Sequence, residues 1–226
     1  MTTPRPEIVL IAGEADLWRG PVEELIAGRI DLLALDPSAA LPETLDSHAV
    51  KVMVASPQDA KTFAPYFPNL QWIQSTWAGV DALAGHIPES VVITPLRGVF
   101  GQAMSEFVLG WILGLERNII ERARSSSWDA TPETGVRGKT MGILGTGSIG
   151  SAIAEAVKPL GINCQGMNSS GQPTAGFSRC YKSNDPKFFE GLDYCVAVLP
   201  KTEATDRILS SRAFDAMSDE AIVINV

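Results

Sequence analysis

The sequence is poor in the residues that bind metals or cross-link secreted domains, because its 226 residues include three cysteines and two histidines. Cys164, Cys180 and Cys195 form no CxxC pair and leave an odd number. They therefore predict free, buried thiols in a reducing, cytoplasmic environment instead of a disulfide framework. His48 and His86 stand in loop-like contexts and are interpreted as surface residues. The sequence predicts neither a metal site nor an acid/base histidine.

Positive charge and long apolar runs are also scarce. The chain has 18 Lys and Arg against 26 Asp and Glu, a formal net charge of -8. Nucleic acids and anionic membranes bind concentrated positive charge, so we expect neither as the main partner. The longest strongly apolar stretch, residues 107–115, is far too short to cross a bilayer. Residues 1–7 lack the basic start and apolar block of a signal peptide.

The first 100 residues alternate short β-rich apolar runs with helical segments. We predict strands at residues 8–12, 32–35, 50–55, 71–74 and 91–94, and helices at residues 21–27 and 57–64. This alternation is typical of a parallel sheet covered by helices on both faces. Residues 1–100 are therefore predicted to form one α/β domain.

A second domain is predicted over residues 101–226. It opens with a long helix at residues 102–124, whose apolar face is too broad for a solvated helix, so we expect burial between domains or in a subunit interface. A polar stretch, residues 125–137, contains Trp128, which we expect to pack between domains. Further elements are strands at residues 163–167, 194–199 and 221–226 and a helix at residues 211–217.

A glycine-rich turn separates an apolar run, which begins near residue 139, from an amphipathic helical segment. Gly145 permits a sharp turn, Gly147 lets the backbone approach a pyrophosphate, and Gly150 lets the helix pack closely on the strand. The helix N-terminus offers free N–H groups to an anion. Without these flanks the motif would be an ordinary glycine turn. With them it predicts a dinucleotide site formed by Gly145, Thr146, Gly147, Ser148, Ile149 and Gly150.

Residues 138–150 resemble the cofactor motif of the D-isomer-specific 2-hydroxyacid dehydrogenases, which include glyoxylate/hydroxypyruvate reductases and phosphoglycerate dehydrogenase. Three further segments match that family in order: residues 78–81 its substrate loop, residues 104–109 its "VAE" helix, and residues 199–205 its "LPxTxxT" turn. The resemblance implies a flavodoxin-like substrate domain followed by a Rossmann dinucleotide-binding domain. It also implies reduction of a small 2-oxo acid, such as glyoxylate or hydroxypyruvate, to the D-2-hydroxy acid. From the apolar helix at residues 102–124 we expect the whole protein to be a homodimer.

The same resemblance implies catalytic groups that this sequence does not contain. In the family, residues 224–226 would lead into an Arg-Gly pair, with a glutamate and a histidine further on. We therefore assign no catalytic residue. We expect the Rossmann domain to be incomplete at its C-terminal end and the 226-residue chain to be inactive by itself.

A second glycine-bearing turn is the candidate substrate site. The backbone N–H groups of Trp77, Ala78, Gly79 and Val80 are predicted to hold a small carboxylate, although a tight turn that ends a strand would have the same pattern. The wide side chain of Trp77 would limit substrate size. Arg97 is the nearest cation for an acidic substrate, or else a member of a surface ion pair.

The cofactor preference is predicted from the second strand of the Rossmann domain. NAD-preferring folds place an acidic residue about 20 residues beyond the glycine turn. Asn168, Ser169 and Ser170 stand there without a carboxylate, which favours NADP over NAD. Leu199 and Pro200 end a strand where ligands of open α/β folds bind, although a proline that merely ends a buried strand would have the same pattern. The resemblance adds Thr205 to the cofactor site, and Val226 completes the predicted set. An alternative function is a non-enzymatic dinucleotide sensor, like the transcriptional corepressors that share this fold.

Overall fold

The structure is a computed structural model that describes residues 7–11, 15–29 and 31–226. The chain divides into two compact units, Met1–Arg97 and Gly98–Val226. Each unit contains its own five-stranded parallel sheet. The predicted fold class, α/β with parallel sheets, is therefore confirmed.

The elements of the first unit are β1 (Ile8–Ile11), α1 (Ala15–Ile26), β2 (Leu32–Leu35), β3 (Val52–Ala55), α2 (Pro57–Phe63), β4 (Trp72–Ser75) and β5 (Val92–Thr94). The strand order in the sheet is β2-β1-β3-β4-β5, which is that of flavodoxin-like folds, and every neighbouring pair is parallel. The core of this unit includes the fully buried Met53 and Ile73, which pack with Phe63 and Phe67 from the segment around α2.

The predicted elements of the first unit all occur, with shifted ends. The strand predicted at residues 8–12 ends at Ile11, and Ala12 lies outside the described residues. The predicted start of the helix at residue 21 is wrong, because α1 begins at Ala15 and contains Pro21. Proline is common in the first turn of a helix, so the sequence pattern favours a start at Pro21. The helix predicted at residues 57–64 ends at Phe63.

The elements of the second unit are α3 (Gly101–Glu116), α4 (Ile119–Arg124), β6 (Thr140–Leu144), α5 (Ser148–Val157), β7 (Asn163–Asn168), β8 (Arg179–Lys182), β9 (Tyr194–Ala197), α6 (Ser211–Ala216) and β10 (Ile222–Asn225). The strand order in the sheet is β10-β9-β6-β7-β8, also with parallel neighbours. The order reverses between β6 and β9, and ligands of open α/β sheets bind beyond the carboxyl ends of the strands at such a switch point.

Both faces of the second sheet are buried. Ile143 and Val196 belong to one core cluster with residues of α3 and α5, whereas Leu144, Cys195 and their neighbours belong to another with Phe188. Successive residues of a strand point to opposite faces, so strands covered on both faces are apolar without alternation. This explains why these strands read as continuous apolar runs.

The elements of the second unit differ from the prediction in two places. The helix predicted at residues 102–124 is two helices, because Asn118 adopts a left-handed φ of 47° between them, a conformation that asparagine tolerates. The strand β8 was missed, because its Arg179 and Lys182 give it a polar pattern. The Trp128 side chain is 90% exposed.

One face of α3 packs in the core of the second unit itself. Val108 and Ile112 are fully buried, whereas Phe107, Trp111 and Leu115 remain 45%, 46% and 47% exposed. Among the described residues no helix combines the length and apolar character needed to span a membrane.

Candidate functional site

The glycine turn lies where the carboxyl ends of β6, β7 and β9 meet. Gly145 donates its N–H to the Met167 carbonyl of β7 at 2.9 Å, and Val198 donates to the Leu144 carbonyl of β6 at 2.9 Å. These ends and the residues that follow them are called the carboxyl edge below. The switch point of the sheet, between β6 and β9, therefore coincides with the predicted dinucleotide turn.

Two of the three predicted glycines are required by the fold itself. Gly145 has a φ of 102°, and a Cβ there would lie 2.7 Å from the Val198 carbonyl oxygen. A Cβ at Gly150 would lie 2.0 Å from the carbonyl oxygen of Gly145. Gly147 differs, because its φ is -73° and no atom lies within 4 Å of an added Cβ. The backbone at Gly147 therefore faces open space.

The turn presents a row of unused hydrogen-bond donors. Among the described residues, no protein group accepts from the backbone N–H groups of residues 146–150. The last three of them begin α5, a helix of 10 residues, whose N-terminus carries partial positive charge. An anion in front of Gly147 would satisfy these donors.

Asn168, at the end of β7, lies beside Thr146 of the glycine turn. Its Nδ2 donates to the Thr146 hydroxyl at 3.1 Å, and its Oδ1 accepts from the Gly171 N–H at 2.7 Å. Ser169 and Ser170 follow on the surface, both exposed. The predicted glycine turn and the turn that follows β7 are therefore joined by hydrogen bonds.

The segment after β9 is adjacent to the glycine turn. A Cβ at Gly145 would lie 3.3 Å from Cδ2 of Leu199. The Thr205 hydroxyl donates to the Pro200 carbonyl at 2.6 Å and accepts from the Thr202 N–H at 2.9 Å. Thr205 therefore closes its own loop, and its hydroxyl proton is not available to a ligand.

Val226 also lies at the carboxyl edge. Its N–H donates to the Ala197 carbonyl of β9 at 3.1 Å, and the residue is 36% exposed. Its backbone therefore continues the ladder between β9 and β10, while its side chain is accessible.

The predicted substrate turn follows β4 in the first unit. The fully buried Ser75 accepts from the Trp77 N–H at 3.0 Å and donates to the Trp77 carbonyl at 3.0 Å, so that N–H is already used. The N–H groups of Ala78, Gly79 and Val80 have no acceptor among the described residues. The Trp77 side chain is 63% exposed.

Ser75 was not singled out from the sequence. The signal that would have found it is a hydroxyl residue at the last position of an otherwise largely apolar strand, where it is buried and must bond the turn that follows.

The titratable groups provide no second site. His48 Nδ1 lies 3.9 Å from Asp46 Oδ1 and His86 Nδ1 lies 2.9 Å from the Ala84 carbonyl, and both histidines are exposed. Arg97 is exposed as well. Within residues 7–11, 15–29 and 31–226, no three His, Cys, Asp or Glu side chains are placed to hold a metal ion.

Burial raises the pKa of Cys164 and of Cys195 to about 12, so both remain thiols at neutral pH.

Residues 109–226 match the family model "D-isomer specific 2-hydroxyacid dehydrogenase, NAD binding domain". The chain belongs to the D-isomer specific 2-hydroxyacid dehydrogenase family. The resemblance found in the sequence motifs is thereby confirmed, and the matched region contains the whole carboxyl edge.

Solved structures and curated relatives of the same family agree with this assignment. A family protein from Aeromonas salmonicida is 29% identical, with a TM-score of 0.83 over 99% of this chain and 73% of that one. A D-isomer specific 2-hydroxyacid dehydrogenase from Xanthobacter autotrophicus Py2, solved with NADPH and MES, is 25% identical, with a TM-score of 0.83 over 98% of this chain and 72% of that one. A glyoxylate/hydroxypyruvate reductase of Arabidopsis thaliana is 25% identical over 91% of this chain and 69% of its own length.

The chain is shorter than the relatives that it matches. It spans 58% and 56% of the length of two uncharacterized curated proteins, from Corynebacterium melassecola and Streptomyces coelicolor, each 28% identical to it.

Proposed function

We propose that the second unit binds NADPH at its carboxyl edge and that the first unit binds the carboxylate of a small 2-oxo acid. The whole protein would reduce a 2-oxo acid of the glyoxylate or hydroxypyruvate type to the D-2-hydroxy acid. The observation that carries the proposal is Gly147, which lacks a side chain although no protein atom occupies the space in front of it. A ligand that approaches the backbone there accounts for the glycine.

The reaction requires a hydride, a proton and a group that holds the substrate carboxylate. When bound, the cofactor supplies the hydride. The residues present fit the cofactor, since the N–H groups of residues 146–150 suit a pyrophosphate. In the first unit, the N–H groups of Ala78, Gly79 and Val80 suit a carboxylate. The exposed Trp77 beside them would restrict the length of the substrate side chain.

The preference for NADPH over NADH is proposed from the turn after β7. Asn168, Ser169 and Ser170 place no carboxylate where one would repel a 2′-phosphate. The Xanthobacter autotrophicus relative, solved with NADPH, is consistent with this choice. The substrate class is proposed from the Arabidopsis thaliana reductase.

The whole protein is also proposed to be a cytoplasmic homodimer. Phe107, Trp111 and Leu115 recur every four residues on the exposed face of α3, and the two aromatic rings contact edge to face, with centroids 6.2 Å apart. Such an apolar stripe fits a second copy of the chain. A monomer that stays monomeric at every concentration in light scattering would contradict this. The three free cysteines fit a reducing compartment.

Gly147→Ala tests the dinucleotide site. Because the added methyl meets no protein atom, we expect an unchanged unfolding transition but about tenfold or greater weakening of NADPH binding in a fluorescence titration. Gly135→Ala is the matched control, since its Cβ also meets no atom, and it should change neither quantity. Wild-type affinity in Gly147→Ala would contradict the proposal.

For the 226-residue chain we expect NADPH binding without glyoxylate-dependent oxidation of NADPH. His48 and His86 are exposed side chains of the first unit, and neither belongs to the turns that are proposed to bind the cofactor or the substrate. Turnover by the purified chain would contradict this expectation.

A further inference from the structure

The segment that follows α5 differs in charge from the rest of the chain. Residues 156–184 contain three cations and no Asp or Glu, hence a net charge of +3 within a chain of net charge -8. Lys158 follows the far end of α5, and Arg179 places its guanidinium 4.4 Å from the centroid of the Tyr181 ring. Lys182 ends β8, in register with Asn168 at the end of β7. Lys182 is therefore the cation of this segment at the carboxyl edge.

The side chain of Asn168 is fully used inside the protein. An asparagine amide has two N–H donors and an oxygen with two acceptor positions. Its Nδ2 donates to the Thr146 hydroxyl at 3.1 Å and to the Gln172 carbonyl at 3.0 Å. Its Oδ1 accepts from the N–H groups of Gly171 at 2.7 Å and Ser170 at 3.2 Å. Asn168 therefore organises two turns and has no donor left for a phosphate.

Two of the polar side chains with unused donors beside the Asn168 turn are Ser169 and Lys182. The Ser170 hydroxyl donates to Asn168 Oδ1 at 3.2 Å. Ser169 and Lys182 are exposed, and the part of the chain that the structure describes contains no hydrogen-bond partner for the Ser169 hydroxyl and no ion pair of Lys182. Gly171, with a φ of 71°, folds the turn against Lys182, because a Cβ at Gly171 would lie 3.1 Å from the Lys182 Cβ.

We infer that Ser169 and Lys182 are the residues that select the 2′-phosphate of NADPH, and that Asn168 is a positioning residue that holds their turn. This inference rests on the proposed dinucleotide site and adds the origin of its selectivity. The cation comes from the neighbouring strand β8, which lies outside the turn where cofactor preference is usually sought. Asparagine suits position 168 because an aspartate has no N–H for the Gln172 carbonyl.

Lys182→Gln tests the selecting cation through the ratio of NADPH to NADH affinity, since both cofactors share the pyrophosphate. We expect NADPH to bind about tenfold more weakly, the loss of one charge-assisted contact, with NADH binding unchanged. The NADPH preference of the wild type should also fall as salt is raised. Lys187→Gln, at an exposed lysine beyond β8, is the control that should change neither affinity.

The outcomes separate the two proposals. Equal weakening of both cofactors in Lys182→Gln, or an unchanged NADPH affinity, would overturn the role of Lys182 while leaving the dinucleotide site intact. If the wild type binds neither cofactor, the proposed function itself has failed. Ser169→Ala should weaken NADPH by about threefold, as one hydroxyl contact to phosphate is lost, and leave NADH unchanged.

Asn168→Asp tests the positioning role. A residue that contacted the ribose directly would, as aspartate, improve NADH binding and impair NADPH binding. A positioning residue gives a different result, in which NADPH binding weakens because the turn that holds Ser169 and Lys182 is disturbed, while NADH binding does not improve in a variant that circular dichroism shows to be folded. Improved NADH binding in this variant would overturn the assignment.

Discussion

The polar groups at the two ends of the second sheet differ in whether the protein itself satisfies their hydrogen bonds. At the amino ends of β6 and β9, the Glu116 side chain is 7% exposed and accepts from the Lys139 amine at 2.5 Å, the Tyr194 hydroxyl at 2.8 Å and the Thr134 hydroxyl at 3.1 Å. At the carboxyl edge, the N–H groups of residues 146–150 have no protein acceptor among the described residues.

The hydrogen-bonded groups at the amino end stabilise the fold, whereas the unused donors at the carboxyl edge are available to a ligand. Burial raises the pKa of Glu116, but the hydrogen bonds from Lys139, Tyr194 and Thr134 and the charge of Lys139 together outweigh it and hold the pKa below its usual value of 4.5. Glu116 is thus an ionised, satisfied group that fastens α3 to the sheet. Donors without a partner do not stabilise the fold, and a ligand can use them.

The largest expected effect is at the amino end. Glu116→Gln should lower the free energy of unfolding by about 2 kcal/mol, because a largely buried lysine loses its counter-charge. NADPH affinity should stay at the wild-type value, since the change lies at the opposite end of the sheet. Chemical denaturation and a fluorescence titration measure the two quantities. Glu155→Gln, at an exposed glutamate of α5, is the control. A loss of NADPH affinity without a loss of stability would break the comparison.

A smaller effect follows from pH. Because the pKa of Glu116 is lowered by folding, its contribution to stability is fully present above its unfolded pKa and is lost as the pH falls through the folded pKa. The stability difference between the wild type and Glu116→Gln should therefore be constant from about pH 8 to about pH 6 and shrink below about pH 4.5. Denaturation curves across this range measure it, and a difference that grows toward acid would contradict the account.

The smallest effect is expected in the first unit, where Ser75 organises the candidate carboxylate turn. Ser75→Ala should cost about 1 kcal/mol of stability, because the Trp77 N–H loses its acceptor. Oxalate, as a small dicarboxylate probe, should bind more weakly by calorimetry. Ser90→Ala removes an exposed hydroxyl of the same unit and serves as the control. Unchanged oxalate binding in Ser75→Ala would remove Ser75 from the site.

Local pattern was sufficient for the α/β architecture and for the glycine turn. The apolar strands of the second unit can be recognised in the sequence because both faces of the sheet are buried. The need for glycine at residues 145 and 150 follows from the backbone path, since a Cβ at Gly145 or Gly150 would clash with a carbonyl oxygen. The break at Asn118 was not predictable in this way, since apolar residues continue on both sides of it. Contacts between distant residues decide such a break.

The hydrogen bonds of the candidate site could not be predicted from the sequence either. Asn168 belongs to the turn from which the sequence predicts a preference for NADP, and only the structure shows that Thr146 and Gln172 use both of its donors. Thr205 is predicted to belong to the cofactor site, and only the structure shows that its hydroxyl closes its own loop. Hydrogen-bond capacity is set by the neighbours that the fold supplies, and residue type alone does not reveal which donors remain free.

Hydrogen exchange with and without NADPH tests the central claim most directly, because it reports on both ends of one sheet. The account predicts slower exchange in a peptide that covers residues 145–150 and unchanged exchange in one that covers residues 138–141, at the amino end. Unchanged exchange over residues 145–150 under saturating NADPH, or protection confined to the amino end, would contradict it.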